Sequence, residues 1–249
     1  MDESTHRTSK DSRGGSGRVV LITGSTRGIG LAAAEEFLQN GDRVAVFCRH
    51  KEHVDEAVHE LSRDPATDGP RVVLGLVGDV RSATSVEHIV DTVLEEFGRI
   101  DVLVNNAGIA FWKSIEETTD VEWDEVIKTN LKGSFLFMRA VLPIMKRQSS
   151  GVIINISSGL GVQGSANYSA YSASKFGLVG LTQVVADETR DTGIKVYAVL
   201  PGGVATKLHT DIHPWEDPSK MMTPEHVADV IFEVAEGARP SGSAVEVYF

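Results

Sequence analysis

Short apolar runs alternate with longer stretches of helical periodicity along most of the chain. The runs fall at residues 19–23, 43–48, 72–77, 102–105, 152–156, 195–200 and 245–248, and most are continuous rather than alternating. Continuous runs are what strands buried on both faces require, so they predict parallel strands under helical layers. Between them, the pattern predicts helices at 29–40, 50–62, 82–97, 121–147, 170–192 and 224–236. Turn residues agree with these limits. Gly41 and Gly98 follow the first and third helices, where a left-handed cap is expected, and Thr223-Pro224 opens the last helix. Strict β-α-β alternation predicts an α/β domain with a doubly wound, seven-stranded parallel sheet and right-handed crossovers. Residues 1–17 are polar, rich in Ser and Gly and aperiodic, so they are expected to form a disordered tail before a single domain at 18–249.

Composition narrows the function classes. A chain of 249 residues can bury a core without disulfides or metals, and Cys48, the single cysteine, fits a reducing compartment. A net charge of −11 speaks against nucleic-acid binding, which needs clustered cations. No apolar run approaches the roughly 20 residues of a membrane span. Asp2 and Glu3 after Met1, with no apolar stretch behind them, are unlike a signal peptide, so a cytoplasmic location is expected.

Candidate chemistry begins where the first strand runs into Thr23-Gly24-Ser25-Thr26-Arg27-Gly28-Ile29-Gly30 and then a helix. Glycines there let the backbone turn tightly and bring N–H groups to a pyrophosphate, with the helix N-terminus adding its positive end. The second strand ends Cys48-Arg49-His50-Lys51, with no acid to accept from an unphosphorylated ribose. Arg27 and Arg49 suit a ribose 2′-phosphate instead, which favours NADP(H). Asp79 closes the third strand in Gly78-Asp79-Val80, where a carboxylate could accept from an adenine amino group or cap the helix starting near Ser82.

After the fourth strand comes Asn105-Asn106-Ala107-Gly108, and after the fifth, Ser157-Ser158-Gly159. Tyr171 and Lys175 stand four apart on one helix face, where an ammonium beside a phenol is expected to favour the phenolate. Ser158 could then hydrogen-bond a substrate oxygen. It is no hydrolase nucleophile, because Ile156-Ser157-Ser158-Gly159-Leu160 lacks the Gly-x-Ser-x-Gly elbow. His209-x-x-x-His213 has no third ligand in view, and no metal is expected. The segment 207–222 reads as a short polar loop whose apolar bulk is Trp215, Met221 and Met222.

These motifs, joined by Asn130 in Lys128-Thr129-Asn130-Leu131 and by Pro201-Gly202 with Val204 and Thr206, resemble the short-chain dehydrogenase/reductase family over residues 23–206. The resemblance implies a Rossmann-type domain that moves a hydride between NADP(H) and a carbonyl or secondary alcohol. Tyr171 would be the acid/base, Ser158 would hold the carbonyl oxygen, Lys175 would bind the nicotinamide ribose and lower the Tyr pKa, and Asn130 would anchor a relay water. Cofactor contacts are implied at Gly24, Thr26, Arg27, Gly28, Ile29, Gly30, Arg49, Asp79, Val80, Asn106, Ala107, Gly108, Tyr171, Lys175, Pro201, Gly202, Val204 and Thr206. The pattern is most similar to 3-oxoacyl-[acyl-carrier-protein] reductases, which makes an acyl thioester a candidate substrate, and a tetramer (or dimer) packed through the long fourth and fifth helices is implied. Lys132, Arg139, Lys146 and Arg147 offer a basic patch for an acidic carrier, or simply a solvated or subunit-contacting face. A nucleotide-binding regulator without turnover is the alternative on the same fold, and the complete set of Asn130, Ser158, Tyr171 and Lys175 speaks against it.

Overall fold

The computed structural model describes residues 17–63, 71–237 and 239–248. The expected tail thus lies outside the described residues except for Gly17. The elements run β1 (Val19–Thr23), α1 (Gly28–Gln39), β2 (Arg43–Cys48), α2 (Lys51–Leu61), β3 (Val73–Val77), α3 (Ala83–Phe97) and β4 (Val102–Asn105). They continue through α4 (Asp120–Val126), α5 (Gly133–Gln148), β5 (Gly151–Ile156), α6 (Ser169–Glu188), β6 (Ile194–Pro201), α7 (Lys207–Ile212), α8 (Pro224–Ala235) and β7 (Ala244–Val247). The seven strands form one sheet in the order β3-β2-β1-β4-β5-β6-β7, every pair parallel.

Alternation of side chains along each strand splits the core in two. Val20 and Ile22 of β1 join Val44, Val104, Ile154 and Val199 under α1 and α8, while Val19 and Leu21 join Phe47, Leu103 and Ile153 under α3, α5 and α6. Both faces of the central strands are therefore dry, which is why the sequence reads there as unbroken apolar runs. Edge strand β3 is only half buried, and α2 packs close on it because Gly75 has no side chain: a Cβ there would lie 2.6 Å from Val58.

The predicted caps hold. Gly98 closes α3 in the left-handed region, and Thr223 accepts from the His226 N–H ahead of Pro224. Two regions differ from expectation. The helix predicted over 121–147 is not uniform, because residues Ile127–Lys132 between α4 and α5 form a π-helical turn. The periodicity of apolar positions barely changes across it, so the pattern alone passes over it. The segment 207–222 is not a plain polar loop. Thr206 caps α7, Met221 and Met222 are buried, and Met222 belongs to the core beneath β6 and α8.

Sheet order reverses between β1 and β4, which send their following helices to opposite faces. A crevice opens at such a point beyond the carboxyl ends of the strands.

Candidate active site

A cleft of about 530 Å³ occupies that crevice. Its floor at one end is the β1–α1 turn. Gly24 and Gly28 both hold positive φ, 64° and 55°, which only glycine adopts without strain. The turn is locked to its neighbours by Thr23, whose Oγ1 accepts from the N–H groups of Asn106 and Ala107. Asn106 Nδ2 donates back to the carbonyls of Thr23 and Gly24. Ser25 Oγ donates to the Ile22 carbonyl and accepts from the Phe47 N–H, fastening the turn to β2. No side chain caps α1, since Arg27 at the cap position makes no such bond. The first N–H groups of the helix thus carry their partial positive charge at the cleft.

A nicotinamide dinucleotide fits this cradle. Gly28 stands where a Cβ would press within 3.2 Å of Thr206, and Gly24 where one would meet Ala107 at 2.9 Å, so glycine lets the turn lie close against both neighbours. Arg27 and Arg49 are exposed at the cleft wall. Asp79 also lines it, with its carboxylate held by Arg81, Nη2 at 2.7 Å and Nε at 3.0 Å. Burial alone would raise that carboxyl, but the Arg81 hydrogen bonds and the charges of Arg81 and Arg49 keep it below the usual carboxylate range. Asp79 does not cap α3. Ser82 does, through the Ser85 N–H.

The other end of the cleft is made by β5 and α6. Ser158 follows β5 in extended backbone, its Oγ accepting from the Leu160 N–H and hydrogen-bonding Tyr171. Lys175 is 4 % exposed; its Nζ donates to the Ile156 carbonyl at 2.7 Å and lies 5.5 Å from the Tyr171 ring centroid. The expected depression of the Tyr171 pKa by Lys175 is not what this packing produces. Burial pushes the Tyr171 phenol up to about 12, partly offset by its bond with Ser158, and burial brings Lys175 down to about 8. Both charged forms are disfavoured by the same desolvation, and the ammonium sits over the ring rather than at the hydroxyl.

Of the residues expected to bind cofactor, all line the cleft except Gly30, which supports it from behind. A Cβ on Gly30 would lie 2.5 Å from Asn106 Nδ2, so this glycine permits the close packing of α1 on the turn. Asn130 is also one layer back and fully buried. Its Oδ1 accepts from the Ile109 N–H, and its Nδ2 donates to the Ile109 carbonyl and to Ser174 Oγ, which in turn donates to the Tyr171 carbonyl. The extra residue of the π-helical turn directs that amide at the 109 loop and at α6. Its own carbonyl accepts from Ser134 Oγ.

The sequence reading missed Tyr168, Arg81, His53 and Ile109, which also line the cleft. Tyr168 stands three residues before Tyr171 at the cap position of α6, in non-helical backbone, so no helix-face spacing signalled it. Among the described residues no group of three His, Cys, Asp or Glu side chains is placed to hold a metal ion. None of the described helices is long and apolar enough to cross a membrane.

Comparison with known proteins agrees with the geometry. The family model described as short chain dehydrogenase matches residues 18–217. The chain is 38% identical over 192 residues to 3-oxoacyl-[acyl-carrier-protein] reductase FabG of Thermotoga maritima, covering 77% of this chain and 76% of that protein. It is 40% identical over 210 residues to an uncharacterized oxidoreductase of the same organism, covering 82% and 81%. The crystal structure of levodione reductase superimposes with a TM-score of 0.86 at 32% identity, covering 92% of this chain and 95% of that one. A glycine turn, a Ser-Tyr-Lys set in one cleft and a seven-stranded parallel sheet meet in a chain that belongs to the short-chain dehydrogenase family of oxidoreductases.

Proposed function

We propose that the protein reduces a carbonyl carbon, or oxidises the corresponding secondary alcohol, with NADP(H), and that a 3-oxoacyl thioester is a candidate substrate. The observation that carries this reading is the convergence of Ser158, Tyr171 and Lys175 in one cleft with the glycine turn. The bound cofactor would supply the hydride, held by Gly24, Thr26, Arg27, Gly28 and Ile29 at its phosphates and by Pro201, Gly202, Val204 and Thr206 at the other end. Tyr171, a phenol that is protonated at neutral pH, gives its proton to the carbonyl oxygen. Ser158 hydrogen-bonds that same oxygen and fixes it against the phenol. Lys175, anchored on the Ile156 carbonyl, has further N–H donors for ribose hydroxyls, while Asn130 holds the Ile109 backbone and, through Ser174, α6. Asp79 and Val80 line the adenine end. The NADP preference rests on Arg27 and Arg49, exposed cations at the cleft wall with no acid at the end of β2.

The tetramer reading draws support from exposed apolar side chains on the two long helices: Phe135 on α5 and Phe176 and Val184 on α6. A solution mass of one chain by light scattering at micromolar concentration counts against it.

The test is a titration with NADPH and NADH followed by nicotinamide fluorescence, then NADPH consumption with ketones and 3-oxoacyl thioesters. Tighter binding of NADPH by about tenfold, 1.4 kcal/mol, is expected. Equal binding of NADH overturns the NADP reading, and no binding of either overturns the enzyme.

A further inference from the structure

A second cluster of polar and aromatic side chains closes the substrate side of the cleft, and the reaction as described leaves it without a task. Its centre is His213, buried just past α7. Four rings surround its imidazole: His209 at 5.1 Å, Trp215 at 5.2 Å, Trp112 at 5.8 Å and Tyr168 at 5.9 Å between centroids. His213 Nε2 is hydrogen-bonded to the Tyr168 hydroxyl. Its Nδ1 makes no hydrogen bond and lies 3.8 Å from Glu216 Oε1, while Glu216 Oε2 meets His209 Nε2 at 3.0 Å.

Tyr168 is fixed from three directions. Its backbone pairs with Lys113, whose N–H donates to the Asn167 carbonyl. Its own carbonyl accepts from the Ser172 N–H at the start of α6, and its hydroxyl is held by His213. The ring stands 5.9 Å from that of Tyr171, and Tyr168 lines the cleft. Burial and the Glu216 charge raise the Tyr168 phenol above its ordinary value.

A phenol has one donor and two acceptor positions. The single bond to His213 uses one of them, whichever ring nitrogen carries the proton, and leaves capacity for an oxygen in the cleft. A ring needed only for packing would gain nothing from a hydroxyl pinned by a buried imidazole. Two phenols whose rings lie 5.9 Å apart at the start of α6, Tyr168 at its cap and Tyr171 in its first turn, are matched to a ligand with two oxygens. Standard bond lengths put the oxygens of a 1,3-dioxygenated chain roughly 3–5 Å apart, a span that neighbouring phenols can bridge.

Resting on the hydride-transfer reading above, we propose that Tyr168, positioned by His213, is a specificity-determining residue that hydrogen-bonds the second oxygen of a 1,3-dioxygenated substrate while Tyr171 serves the reacting one. The substrate class is then 3-oxo esters, thioesters and 1,3-diketones rather than isolated ketones.

The test compares ethyl 3-oxobutanoate with 2-heptanone, which matches its length and lacks the second oxygen, in the full chain and in Tyr168→Phe, His213→Phe and His213→Gln, each checked for an unaltered Tm. The expected result is a roughly tenfold fall in the ester-to-ketone ratio of kcat/KM in Tyr168→Phe and His213→Phe. Rescue is expected in His213→Gln, whose amide can still meet the phenol. A ratio within twofold of the parent in Tyr168→Phe overturns the proposal, as does the same loss in His213→Gln as in His213→Phe. If the parent consumes NADPH with neither compound, the hydride-transfer reading has failed. Tryptophan quenching by the ester, reported by Trp112 and Trp215, then decides the assignment separately. An affinity about tenfold weaker in Tyr168→Phe keeps the pair as a binding element, and equal affinity removes it.

Discussion

At the β1–α1 end of the cleft, the proposed recognition of cofactor is done by backbone. Two glycines at positive φ and the uncapped start of α1 line it, with Arg27 and Arg49 exposed to solvent beside them. At the β5–α6 end the proposed work is done by side chains whose protonation is displaced by their surroundings, the half-buried Tyr171 up to about 12 and the buried Lys175 down to about 8. The first region tolerates solvent because its charges are exposed and its geometry is set by turns. The second rests on desolvated groups, since burial raises the phenol and lowers the ammonium. Changes at the first end should therefore move affinity and stability, and changes at the second should move turnover and pH dependence.

The sharpest division is expected from Tyr171→Phe. Removing the proton donor should lower kcat about a thousandfold, within the usual range for acid–base groups, while NADPH binding persists in a fluorescence titration. Loss of both together would erase the contrast between the two ends. Next in size is Gly30→Ala. Its Cβ would meet Asn106 Nδ2 at 2.5 Å and the Gly24 carbonyl oxygen at 2.6 Å, so the turn must shift. Overpacking of this kind costs about 1–3 kcal/mol, read as a Tm lower by several degrees and a raised Kd for NADPH.

How much of this was legible follows the same division. Sheet, strand order of motifs and glycine turn could be read because each has a local signature: apolar runs, Gly at fixed offsets, Thr223-Pro224 at a helix start. The side-chain end was legible only where a short-range spacing carried it, as in Tyr171 and Lys175. The π-helical turn around Asn130 leaves the apolar pattern almost unaltered, so the inward aim of that amide was hidden. Tyr168 and His213 are 45 residues apart and meet only because α7 folds back over the cleft. The fate of Met221 and Met222, buried under β6 while Trp215 stays exposed, was likewise set by tertiary packing. Asp79 was legible as a cleft residue, but its partner Arg81 was not anticipated.

Proton linkage gives the third prediction. Lys175 carries a folded pKa of about 8 against 10.5 for a solvated lysine, so the unfolded chain binds more protons between those values. Its burial therefore costs most below pH 8, and stability recovers as pH rises toward 10.5. Tyr171 runs the other way: its raised pKa of about 12 contributes stability below pH 10 that is lost as pH rises through 12. From pH 7.5 to 9.5 only the Lys175 effect acts, and the parent should gain on the order of 2 kcal/mol relative to Lys175→Met. Denaturant melts of both at the two pH values measure it; a parallel shift of the two proteins would show that Lys175 is not desolvated. The smallest effect is expected from Arg49→Ala. Because Arg49 is exposed, its loss should weaken NADPH about tenfold and leave NADH nearly unaffected, checked by paired titrations. A selective loss of turnover instead would place Arg49 with the other end of the cleft.

Strand order also sets a sequence of events in time. Every strand pairs with one that precedes it in the chain: β2 on β1, β3 on β2, β4 back on β1, then β5, β6 and β7 outward in turn. Only β1 holds an edge open for a distant later partner, β4; every other new strand pairs with its immediate predecessor, which shortens the life of unpaired strands. The pyrophosphate cradle needs nothing beyond Gly108 except the press of Thr206, while Ser158, Tyr171 and Lys175 enter only after the first four strands have been made. During synthesis, then, the glycine turn precedes the Ser-Tyr-Lys set.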